Sequence, residues 1–209
     1  MTTKVYTQKD KYTMISGYLS QKEGSLLDIG ARDRILSRYL DNKKIKYASA
    51  DLGEGHDYQL NLEQNIHIKD REFDYVSALY VLEHVENIHL ALSELARITR
   101  RTLFIALPNM ATLPRRWNFL WKGNLGTGKY SLLLEHQGDR HRWLTIYPEI
   151  NRFVEENARK MGFMVDVVYE ELEWTRFFWR IYLPLAKLGL FGNGIMTGRC
   201  TYVLNRKEK

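Results

Sequence analysis

Ser25-Leu26-Leu27-Asp28-Ile29-Gly30-Ala31-Arg32-Asp33-Arg34 reads as a short apolar strand that closes on an acidic residue and a glycine turn, then gives way to a helix. A second stretch, Phe73-Asp74-Tyr75-Val76-Ser77-Ala78-Leu79-Tyr80-Val81-Leu82-Glu83-His84-Val85, has the same form: an apolar run feeding a helix. Runs this short and this apolar, bounded by turn residues, fit strands buried on both faces of a parallel sheet. Outward from them the rhythm continues. Ile35, Leu36, Tyr39 and Leu40 make one helix face, and Lys46–Ala50 is a strand candidate ending at Asp51-Leu52-Gly53. Ile88, Leu92, Leu95 and Ile98 recur at helical spacing, and Leu103–Leu107 is a β-rich run stopped by Pro108-Asn109. A last helix has Pro148 in its first turn and ends at Gly162, followed by strands at Phe163–Tyr169 and Cys200–Leu204. Strands alternating with helices imply an α/β fold with a mostly parallel sheet, whose ligands sit at the carboxyl ends of the strands near the switch in strand order.

The chain of 209 residues fits a single domain, 1–209. Two segments interrupt it, at about 110–145 and about 174–198. Residues 1–24 are polar with spaced apolar positions and predict a helix against the sheet. A formal charge of +6 favours anionic partners without choosing among them. The lone cysteine, Cys200, excludes an internal disulfide and any cysteine-clustered metal site. The N-terminus Met-Thr-Thr-Lys-Val-Tyr has no signal-peptide core, so the expected location is the cytoplasm.

Asp28 and Gly30 stand where the first strand meets its helix, and Asp51 ends the second strand, where a carboxylate can bind both hydroxyls of a ribose. A dinucleotide would need further glycines to bring backbone up to its pyrophosphate. Arg32 and Arg34 occupy those places, which disfavours a nicotinamide cofactor. Together with Leu82-Glu83-His84-Val85, Leu95-Ala96-Arg97-Ile98 and Ala106-Leu107-Pro108-Asn109, these residues make about 24–165 similar to class I S-adenosylmethionine-dependent methyltransferases of the small type 11 kind. The resemblance implies a Rossmann-like, mostly parallel seven-stranded sheet with helices on both faces. It also implies S-adenosylmethionine as cofactor and S-adenosylhomocysteine as product. By resemblance, Asp28, Gly30 and Ala31 would hold the methionine moiety and Asp51-Leu52 the ribose and adenine edge. Asn61-Leu62 would flank the adenine, and Leu79-Tyr80 and His84 would line the floor. The family pattern would carry glycines at positions 32 and 34, and this chain keeps only Gly30. The stretch from Ile98 to Trp143 also resembles the MetW-like branch, which implies an accessory or regulatory alternative without transfer activity. Bland readings stand beside these: Asp51 capping a turn through Gly53, and Glu83 and His84 as helix-start residues.

On the acceptor side, methyl transfer from an activated sulfonium asks mainly for alignment and desolvation, with a general base only for a protonated nucleophile. The candidates for such a base are His84, His136, His141, Glu135 and Tyr80. His141 and His84 are the expected catalytic residues, and Arg140, His141 and Tyr130 the expected substrate contacts. The expected acceptor is a small molecule or a glycan or lipid precursor. Base-amine methylation is disfavoured, because Ala78-Leu79-Tyr80-Val81 stands where such enzymes carry an Asn/Asp-Pro-Pro-Tyr/Phe turn. The basic, aromatic-rich insertion could still bind single-stranded RNA by stacking, though nucleic acid is not the expected partner. No metal is expected, since His136 and His141 have no carboxylate or cysteine partner set along the sequence. The apolar, basic run at 177–191 is too short and interrupted to span a bilayer. It fits an anionic membrane surface, a cover over the sheet, a wall of an apolar pocket or a homodimer contact.

Overall fold

The computed structural model describes residues 2–41, 43–130, 140–172, 184 and 194–207. The expectations placed on Glu135, His136 and 177–191, Pro184 apart, lie outside these residues. The chain folds around one sheet of eight strands: β1 (Thr3–Thr7), β2 (Gly24–Ile29), β3 (Ile45–Asp51), β4 (Tyr58–Gln59), β5 (Phe73–Leu79), β6 (Thr99–Pro108), β7 (Phe163–Leu172) and β8 (Thr197–Arg206). Their spatial order is β1-β7-β8-β6-β5-β2-β3-β4. Only the pairings of β8, with β6 and with β7, are antiparallel. Strand order reverses between β5 and β2, which pair in parallel with Leu26 opposite Tyr75 and Ile29 opposite Ala78. Two crossovers leave that point in opposite directions and open a crevice at the strands' carboxyl ends.

Alternation along the strands feeds two cores. Leu27, Ile29, Val76, Ala78, Leu103 and Ile105 face α3 (Ile88–Ile98) and α5 (Tyr147–Lys160). Leu26, Tyr75, Phe104 and Ala106 face α1 (Lys11–Leu19) and the five-residue α2 (Ile35–Tyr39). Helices therefore cover both faces, as a sheet buried on both sides requires. Among the described residues, no helix is long and apolar enough to cross a membrane.

Two expectations change. The N-terminal region holds α1 but opens with β1, an edge strand running parallel to β7 with Thr3 opposite Val167. It adds an eighth strand to the seven expected. Its sequence, Thr-Lys-Val-Tyr-Thr, is short and largely polar, as edge strands are, and its pairing is wholly tertiary. The segment 110–145, expected as a substrate-side insertion with no helix assigned to it, contains α4 (Leu113–Lys122). Thr112 at its N-cap, Pro114 in its first turn and Gly123 at φ +65° after its end delimit it. No residue of α4 is buried.

Candidate functional site

The crevice holds two adjoining lobes that share Gly30, Arg32, Tyr80 and His84 in their walls. The smaller, about 170 Å³, lies over the end of β3 and is lined by Asp51, Leu52, Leu60, Asn61 and Leu62. The larger, about 630 Å³, is walled by Lys11 and Tyr12 of α1, Ala31 and Leu79 at strand ends, Glu83, Arg115 of α4, Lys129, His141 and Arg199 of β8.

Gly30 makes the turn possible. Its φ is +71°, and a Cβ there would lie 2.4 Å from Val81 Cγ2. The turn therefore needs glycine both for its backbone and for its approach to the chain after β5. Arg32 and Arg34 keep left-handed backbone, at φ +40° and +52°. The loop has thus retained the conformation that glycines favour while losing the glycines, at a cost of roughly 1 kcal/mol or more per residue. Arg32 N–H donates to Asp51 Oδ2 at 2.9 Å, and Leu52 N–H donates to Asp51 Oδ1 at 2.7 Å. These bonds fix the carboxylate at the mouth of the smaller lobe. A carboxylate has about four acceptor sites, so two remain for a ligand. Arg32→Gly is expected to raise stability by up to about 1 kcal/mol in urea unfolding, strain relief outweighing the added freedom of the unfolded chain. A loss of stability instead would mean that the Arg32 side chain, not its backbone, holds the loop.

Asp28 is placed differently from expectation. It is 4% exposed and stands behind the cavity wall rather than in it. Ser77 Oγ donates to its Oδ1 at 2.7 Å and Tyr47 Oη to its Oδ2 at 3.1 Å. Both oxygens are engaged with β3 and β5, so its direct service to this crevice is to hold three strand ends together. Burial pushes its carboxyl up to about 6, against the pull of the two hydroxyls and of Lys11. The native state therefore binds a proton that the unfolded chain releases between about pH 4 and 6, and stability falls as pH rises through that window. The loss is on the order of 3 kcal/mol and is complete above pH 6. Asp28→Asn is expected to be more stable than the wild type at pH 8 by that order. The advantage should shrink towards zero near pH 4, read from denaturant unfolding of both proteins at each pH. A difference independent of pH would contradict this.

The remaining expected residues divide into two groups. Ala31, Leu52, Asn61, Leu62, Leu79, Tyr80, His84 and His141 line one lobe or the other. Tyr80 is held at φ +63°, with Lys11 Nζ 3.7 Å from its ring centre. Burial, and then the nearby Arg199, bring Lys11 down to about 8. Arg140 and Tyr130 support the site rather than line it. The Arg140 carbonyl accepts from His84 Nδ1 at 2.8 Å, and Tyr130 Oη meets His141 Nδ1 at 3.0 Å. The expectation of no metal rested on His141 lacking a carboxylate partner. The fold supplies one: an oxygen of Glu83 and one ring nitrogen each of His84 and His141 lie within 4.8 Å of one another.

Sequence reasoning missed Lys11, Arg115 and Arg199 and gave Glu83 no ligand role. The first three come from α1, α4 and β8, and no motif or spacing joins them. Glu83 carried a signal in being the acidic residue beside His84.

A family model described as "Methyltransferase domain" matches residues 6–156. No curated protein sequence matches the chain. Among solved structures, a SAM-dependent methyltransferase from Archaeoglobus fulgidus superposes with a TM-score of 0.59 at 14% identity, covering 96% of each chain. One from Methanosarcina mazei gives 0.58 at 15% identity, covering 95% of this chain and 99% of that one. A 1,6-didemethyltoxoflavin-N1-methyltransferase from Burkholderia thailandensis, solved with bound 1,6-didemethyltoxoflavin and S-adenosylhomocysteine, gives 0.55 at 14% identity over 94% of this chain and 77% of that one.

Proposed function

Because the chain belongs to the methyltransferase domain family, we propose that it is an S-adenosylmethionine-dependent methyltransferase. Its acceptor, on this reading, is a small molecule or a glycan or lipid precursor that carries an anionic group. The observation that carries the proposal is the pair of lobes at the switch point: a small one suited to adenosine beside a large basic one, with Gly30, Arg32, Tyr80 and His84 common to both walls.

The small lobe fits the adenosyl half by the chemistry of its donor set. Asp51 offers two acceptor positions for ribose hydroxyls, while Leu52, Leu60 and Leu62 give apolar walls for a flat base, with Asn61 at its edge. Gly30 and Ala31 bring backbone to the join between the lobes, where the methionine part belongs. The cofactor supplies an electrophilic methyl on a positively charged sulfur. The chain's own residues do the rest. Lys11, Arg32, Arg115, Lys129 and Arg199 outnumber Asp33, Glu83 and Glu171 around the large lobe, which favours a phosphate or carboxylate on the acceptor. Tyr80 and Leu79 line the floor, and His84 and His141 line the wall beside it, where they can help activate the acceptor's nucleophile. Much of the rate then comes from positioning and desolvation of the two reactants.

The test is transfer of labelled methyl from S-adenosylmethionine to a panel of phosphorylated, carboxylated and neutral acceptors. Label on the anionic members supports the reading, and label confined to neutral ones overturns the acceptor assignment. Cofactor binding with no transfer to any acceptor would favour the accessory alternative.

A further inference from the structure

We propose that Glu83, His84 and His141 form a site for a divalent first-row metal ion in the wall of the large lobe. Two segments far apart in the chain build it. The 3-10 turn Leu82–His84 follows β5, and residues 140–143 precede α5. Three hydrogen bonds lock them together. Arg142 N–H donates to the Glu83 carbonyl at 2.7 Å, Trp143 Nε1–H to the Val85 carbonyl at 2.7 Å, and His84 Nδ1 to the Arg140 carbonyl at 2.8 Å.

The same bonds set the histidine tautomers. A carbonyl only accepts, so His84 Nδ1 carries the proton and its Nε2 keeps the lone pair. Tyr130 Oη gives its one hydrogen to the Trp143 carbonyl, so it accepts from His141 Nδ1–H, and His141 Nε2 likewise keeps a lone pair. An imidazole whose Nδ1–H is held by a carbonyl or hydroxyl is the arrangement that orients metal-binding histidines. Glu83, 1% exposed, adds a buried carboxylate oxygen to the two ring nitrogens. One ring nitrogen of each histidine and a Glu83 carboxylate oxygen lie within 4.8 Å of one another, against about 3 Å around a metal with bonds of 2.0–2.2 Å, so binding would draw the three side chains together. Two imidazoles and one carboxylate suit Fe²⁺, Co²⁺, Mn²⁺ or Zn²⁺ and leave coordination positions open. All three residues line the large lobe, where a hydroxyl or carboxylate oxygen of the acceptor would complete the shell. That last role rests on the methyltransferase reading; the cation site does not.

The experiment titrates Co²⁺ into the full-length protein, following heat and visible absorption, and separately titrates S-adenosylhomocysteine without metal. One saturable Co²⁺ per chain is expected, weakened at least tenfold in Glu83→Gln and in His141→Gln. His89→Gln, on α3 against Phe153, should bind as the wild type does. His141 is part-exposed, so its variant carries the test even if Glu83→Gln fails to fold. No saturable binding, or wild-type affinity in His141→Gln, overturns the site. S-adenosylhomocysteine binding without Co²⁺ binding removes the cation site alone. Co²⁺ binding without S-adenosylhomocysteine binding keeps the site and removes the acceptor role with the methyltransferase reading.

Discussion

Asp51→Ala is expected to weaken S-adenosylhomocysteine binding by at least about 100-fold while the sheet stays folded. On the proposed function, the two acceptor positions left on this carboxylate would each make a charge-assisted bond worth roughly 1.5–3 kcal/mol, and 1.4 kcal/mol is a factor of ten. Losing both removes about 3 kcal/mol or more of binding. The fold loses less, because the freed amides of Arg32 and Leu52 lie at an exposed strand end that water can reach. Asp51→Asn should fall between, its amide oxygen replacing one acceptor. Calorimetry gives the affinity and circular dichroism the fold. Unchanged affinity in Asp51→Ala would remove the ribose from the small lobe.

Gly30→Ala should be strongly destabilising. The left-handed backbone at φ +71° costs a non-glycine residue about 1–2 kcal/mol. The added Cβ would meet Val81 Cγ2 at 2.4 Å, and overpacking of that kind costs about 1–3 kcal/mol more. The sum, about 2–5 kcal/mol, is large against the usual stability of a domain. Because Gly30 also forms the join between the lobes, ligand affinity should fall with it. The double variant Gly30→Ala/Val81→Ala separates the causes. Removing the two valine methyls should recover the steric part and leave the backbone part, a partial rescue visible in the denaturation midpoint. Full rescue would mean that the backbone conformation carries no strain, and none that the clash is not the cause.

Much of the fold was legible because its signals are local. The apolar runs of β2 and β5, the helical spacing in α3 and the Pro-Asn stop after β6 each specify an element from neighbouring residues. β1 was not legible, because a polar edge strand becomes a strand only when β7 offers its edge. α4 carried end signals in Thr112, Pro114 and Gly123, but its mixture of arginines and exposed aromatics has no buried face to give it away.

The site divides along the same line. Gly30 and Asp51 were readable because each lies where a strand ends, and strand ends converge in this topology. Asp28 was read from the same pattern, yet side-chain alternation turns it towards Tyr47 and Ser77 and away from the cavity. Lys11, Arg115 and Arg199 meet only after three distant segments have packed, so their shared charge is a property of the fold. The pairing of Glu83-His84 with His141 has the same origin.

The most direct test of the central claim is calorimetric titration of the purified protein with S-adenosylmethionine and S-adenosylhomocysteine, with NAD as control. One adenosyl ligand per chain, bound in the micromolar range and with no heat from NAD, is the predicted result. Silence with both adenosyl ligands, or binding of NAD in their place, would contradict it.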